Sequence, residues 1–123
     1  MKIVKTFDIT EQQIQDLLVT AFEGGINYWC DRVEITVMPP NTSPEDYDKL
    51  MASQVIAKDG IVELRGEDFE KITLLTRDKM LTGISKAMDW GNFASIEELI
   101  DNHDAETADV IVQYAIFDEI IFG

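Results

Sequence analysis

The period of hydrophobic and polar positions changes several times along this chain, and each change marks an element. Residues 2–9, KIVKTFDI, alternate, with Ile3, Lys5 and Phe7 set against Val4 and Thr6, which predicts a strand. From Thr10 the period lengthens. Ile14, Leu17, Leu18, Ala21 and Phe22 share one helical face, opened by the capping box Thr10–Gln13. Gly24 and Gly25 end this helix, Gly24 being suited to the left-handed position past its C-terminus. RVEITV alternates again, with Val33, Ile35 and Val37 facing one way and Glu34 and Thr36 the other, until Pro39 and Pro40 stop it.

NTSPEDYDKLMASQ predicts a loop and then a short helix, with Ser43 as N-cap and Pro44 at the first helical position. In QVIAKDGIVELRG, Asp59-Gly60 between two strand-like runs predicts a hairpin turn, and KITLLT extends it as a third antiparallel strand. Thr76 caps a helix whose inner face is Met80, Leu81, Ile84, Ala87 and Met88, with Gly83 as a weakness or a close-packing site. DWGNFA breaks it. Ser95 and Glu98 form a second capping box, and Asp104 caps the last long helix, with Ala108, Ile111, Val112 and Ala115 inward. The same periodicity puts Glu106 and Asp109 on the solvent side. EIIFG predicts a short added strand. No repeat or linker divides residues 1–123, so the pattern predicts one α+β domain: a small, mostly antiparallel sheet with helices packed on one face.

Charge changes the picture more than composition does. An apolar fraction of 46% suits an ordinary globular core, and a single cysteine excludes an internal disulfide framework. No apolar run reaches the length of a membrane span and no signal-peptide core opens the chain, so a cytoplasmic protein is expected. The net charge is −14, and every Lys and Arg lies before residue 89. Beyond it come Asp89, Glu97, Glu98, Asp101, Asp104, Glu106, Asp109, Asp118 and Glu119. Such a field repels nucleic acid and anionic membrane and attracts basic partners. Glu97, Glu98, Asp101, Asp104, Glu106 and Asp109 are therefore candidate partner-binding residues. A purely solubilising face is the plainer reading of the same charges.

Catalytic templates find little to hold. The lone His103 has Asp101 and Asp104 beside it, but adjacent side chains at a helix end rarely converge on a metal, and no cofactor is expected. Cys30 with His103 as a nucleophile–base pair is outweighed by Cys30 as a small buried hydrophobe. No phosphate-cradling glycine loop is present. The sequence predicts a non-enzyme. Two aromatic corners remain, GGINYWC and DWGNF. Asn27, Tyr28, Trp29, Trp90, Asn92 and Phe93 are candidate ligand-binding residues by composition. Their position after helix ends equally predicts that Trp29 and Trp90 close the core, with Asn27 or Asn92 accepting from an indole.

EGGINYWCDRVE, LTRDKMLTGISKAM and DAETADVIVQYAIFDEIIFG together resemble a family of small uncharacterised proteins of phages, prophages and mobile elements. The resemblance brings no activity or site residue with it. It implies a bacterial host as the setting and a host protein, including a defence factor, as the target. The leading expectation is thus an acidic accessory protein that occupies a basic, nucleic-acid-binding surface of a host protein. A binder of a nucleotide-like signal through the aromatic corners is the second expectation. Homo-oligomeric assembly is the third.

Overall fold

The computed structural model of the protein describes residues 6–123. Half of the strand expected over residues 2–9 (residues 2–5) lies outside them, and residues 6–10 form no strand. Helix α1 (Glu11–Thr20) begins at the predicted capping box, Thr10 Oγ1 accepting from Gln13 N–H and Gln13 Oε1 from Thr10 N–H. It runs on as a π-helical turn over Ala21–Gly25. Neither glycine is left-handed. Gly25 is needed for a different reason: a Cβ there would stand 2.9 Å from the Ala105 carbonyl of a later helix.

Strand β1 (Arg32–Val37) follows, then a 3-10 turn at Pro44–Asp46 in place of the helix expected after Ser43. Helix α2 (Ala52–Ala57) occupies the run that strand-like residues had suggested, so Asp59-Gly60 joins a helix to a strand and is not a hairpin turn. Val55 and Ile56 are buried against α1, and that packing overrides their β propensity. Gly60 is fixed by crowding, since a Cβ would meet Val55 Cγ1 at 2.5 Å and the Val37 carbonyl at 2.7 Å. The true hairpin joins β2 (Ile61–Gly66) to β3 (Phe69–Leu75).

The sheet is antiparallel with order β1-β2-β3. Val62 and Leu64, opposite Ile35 and Val33, point to the helices, while Glu63 and Arg65 share the other face with Glu34 and Arg32. A bulge after Ile35 sets Val37 opposite Ile61 and takes it out of the Val33–Ile35 row. Helix α3 (Arg77–Trp90) starts at Thr76, whose hydroxyl accepts from Lys79 N–H. Its buried face is Met80, Ile84, Ala87 and Met88; Leu81, expected inside, is exposed. Helix α4 (Ile96–Asn102) is capped by Ser95, and α5 (Ala105–Phe117) by Asp104. The arrangement is α+β, with the helices packing on the sheet.

Helix α5 is the centre of the molecule. Every residue from Thr107 to Gln113 is buried, including the polar Thr107, Asp109 and Gln113, so neighbouring elements enclose this part of the helix on all sides. Gly83 lets α3 close on it, because a Cβ at that position would overlap the Ile111 carbonyl. The last residues add no strand. After left-handed Asp118, whose carboxylate pairs with Lys86, the tail turns back along α5.

Candidate functional site

The two aromatic corners meet, but not as six residues. Tyr28 and Trp90 line one open groove of about 600 Å³, with Glu106, Asp109, Ile120 and Phe122. Trp90, expected in the core, is 40% exposed, and Tyr28 is 59% exposed. Helix α3 ends at Trp90, so its last turn projects the indole beyond the buried face. Trp29 is the core residue of the set, 4% exposed. It stacks on Phe122 at 5.3 Å and packs against Phe69 and Phe117 at 5.7 and 5.5 Å. Asn27 is exposed on its turn. Asn92 and Phe93 line a separate depression with Asp89 and Met88.

Asp109 organises the groove from below. It is only 7% exposed, contrary to its expected place on the solvent side, because α5 has no solvent side at that depth. Its Oδ1 accepts from Trp29 Nε1 at 2.6 Å and Gln113 Nε2 at 2.9 Å, and its Oδ2 accepts from Tyr28 Oη–H at 2.5 Å. The indole acceptor is therefore this carboxylate and neither asparagine. Burial, with the Asp109 hydrogen bond and charge behind it, pushes the Tyr28 hydroxyl up to about 12. Gln113 extends the network to the tail. Its Oε1 accepts from Ile121 N–H and Phe122 N–H, and its Nε2 donates to the Phe122 carbonyl. One buried glutamine thus fixes the segment that walls the groove.

Of the candidate acidic residues, Glu97, Glu98, Asp101, Asp104 and Glu106 are exposed and only Asp109 is buried, and none of the six is in an ion pair among the described residues. Glu98 caps α4, its Oε2 accepting from Ala94 N–H. Asp104 caps α5, and the Thr107 N–H and hydroxyl that bond it hold its carboxyl below the usual range. Only Glu106 is both exposed and in the groove.

Neither catalytic candidate gains support from geometry. His103 Nδ1 lies 2.6 Å from the Ile100 carbonyl, so that nitrogen carries the proton, and Nε2 lies 2.8 Å from Thr20 Oγ1. It ties α1 to the α4–α5 turn. Cys30 is buried, and burial pushes its thiol up, away from the reactive thiolate. Among the described residues no three His, Cys, Asp or Glu side chains are grouped to hold a metal, and no helix is long and apolar enough to cross a membrane.

Sequence reasoning missed Gln113 and the tail residues Ile120 and Phe122. Asp109 and Gln113 did carry a signal: two polar residues four apart inside an apolar run are placed to bond each other when a helix is fully buried. The tail's fold-back left none. No protein-family model matches this chain, and no curated protein or solved structure matches it either.

Proposed function

We propose that this is a non-enzymatic accessory protein that binds a basic host protein, seating a Lys or Arg side chain of that partner between Tyr28 and Trp90. One observation carries the reading: two exposed aromatic residues, 62 positions apart in sequence numbering, line one groove with the exposed carboxylate of Glu106. A cation over a tyrosine or tryptophan face gains roughly 0.5–2 kcal/mol, and a carboxylate beside it adds a charge-assisted hydrogen bond. Glu97 and Asp101 supply a wider negative field that speeds encounter with a basic surface. A host factor whose basic surface binds nucleic acid would be inhibited, each carboxylate replacing a phosphate. The resemblance to phage and mobile-element proteins supports this setting. A nucleotide-like ligand fits the same groove less well, because its charged lining residues are Glu106 and Asp109 and a phosphate is repelled there.

The test is a titration with an oligo-arginine peptide, read by tryptophan fluorescence at low and physiological salt. Wild type binds with an affinity that falls as salt rises. Trp90→Ala and Glu106→Lys should each weaken binding by about tenfold, the effect of losing about 1.4 kcal/mol. Equal binding by wild type and both variants would overturn the groove as the site.

A further inference from the structure

The sheet has two edges, and they differ. On β3, Lys79 Nζ donates to the Leu74 carbonyl at 2.7 Å and Lys71 stands exposed, a common protection against further pairing. Strand β1 has no such guard. All its residues are exposed, no strand among the described residues lies on its outer side, and Val33 and Ile35 form its helix-side row. Beside Val33 this row ends in a cavity of about 270 Å³, lined also by Val19, Phe22, Met51 and Ser53. The Ser53 hydroxyl there is buried, its residue 2% exposed, and has no hydrogen-bond partner among the described residues.

An open strand and a cavity under its apolar row are the two components of strand addition. The backbone supplies affinity, and the cavity selects an alternate side chain. Charge selects the occupant. Asp31, Glu23 and Glu34 are exposed around β1, and Arg32 is already held by Glu34 at 3.0 Å. A second copy would bring another −14 to this edge. We propose that the outer edge of β1 pairs with an extended segment of a partner protein that alternates apolar and basic residues. One apolar side chain of that segment fills the Val33 cavity, and its basic residues meet Glu23 and Asp31, which are exposed and held by no cation among the described residues. This surface shares no lining residue with the Tyr28–Trp90 groove and stands or falls separately from it.

The probe is a synthetic peptide of about seven residues alternating Lys and Val, with a control in which the central Val is Pro and the charge is unchanged. Hydrogen exchange of the wild-type protein should slow at residues 33–37 with the first peptide and not with the second. Val33→Lys, on a side chain already 37% exposed, should weaken the first peptide by about tenfold or more, while Ile72→Lys on β3 should not. The protection should persist in Glu106→Lys, which separates this edge from the groove. Equal binding of the proline peptide, or protection on β3 instead, would overturn the proposal. So would protection of residues 33–37 that grows with protein concentration alone, because a second copy would then be the occupant.

Discussion

Replacing Asp109 by alanine tests the buried network more sharply than any other change. The Trp29 indole N–H, in a residue 4% exposed, would lose its acceptor, costing about 1–3 kcal/mol. Gln113 Nε2 would keep the Phe122 carbonyl at 3.1 Å, and Tyr28 can turn its hydroxyl to water, so these two lose about 1 kcal/mol together. Removing one negative charge from a chain of −14 restores only some tenths of a kcal/mol. The net expectation is a loss of about 2–4 kcal/mol, a large share of the 5–15 kcal/mol typical of a domain. Glu106→Ala, three residues away but exposed, should stay within about 0.5 kcal/mol of wild type. Urea unfolding of both variants, followed by circular dichroism and fluorescence, reads the difference. Asp109→Asn should fall between them, because it keeps an acceptor for Trp29 while losing the charge. Unfolding of Asp109→Ala that matches Glu106→Ala would mean that the buried network contributes nothing to stability and that Asp109 behaves as an ordinary surface acid.

The two tryptophans should separate in the same assay. Trp29→Ala should cost about 3–5 kcal/mol, and Trp90→Ala, with its side chain partly in solvent, well under half of that. Gly83→Ala should destabilise by about 1–3 kcal/mol despite alanine's better helix propensity, because its Cβ presses on the α5 backbone; a gain in thermal midpoint would contradict that close approach. Tyr28 should titrate near pH 12, against an ordinary value of 10.0, as read by phenolate absorbance and its loss in Tyr28→Phe. The folded protein holds a proton that the unfolded chain releases, so the linked stability is full below about pH 10 and lost as pH rises towards 12. Cys30→Ala should leave peptide binding unchanged with a modest loss of stability, and lost binding in a folded variant would revive covalent chemistry.

Local signals in the sequence were legible where local physics decides. Thr10, Thr76, Ser95 and Asp104 cap their helices as the spacing predicts, and β1 and β3 form where strands were expected, although Val37 leaves the Val33–Ile35 row at a bulge and no residue of β1 is buried. The errors share a cause: each needed knowledge of what packs where. QVIA reads as a strand by composition and is a helix because α1 covers it. Asp109 reads as a solvent-side acid by periodicity, yet α5 is enclosed on every side through that turn. Trp90 reads as core from its place after a helix, while Trp29, in an equivalent place, has the aromatic tail residue Phe122 to stack on. The groove was half visible. Both aromatic corners were marked as candidates, but their meeting depends on a tail that Gln113 folds back, and no local pattern encodes that contact.

A double-mutant cycle measures alone the contact by which we propose that the Tyr28–Trp90 groove holds a partner's positive charge through Glu106. Glu106→Gln is crossed with replacement of single arginines in the oligo-arginine peptide by citrulline, which keeps the shape and removes the charge. One peptide position should couple to Glu106 by about 1 kcal/mol or more, with the same position uncoupled from Glu97→Gln. The coupling should shrink with salt and vanish in Trp90→Ala, where the stacked cation loses its platform. Coupling near zero at every position, or coupling of equal size to Glu97, would mean that the peptide meets only a diffuse acidic surface, and the groove would lose its function.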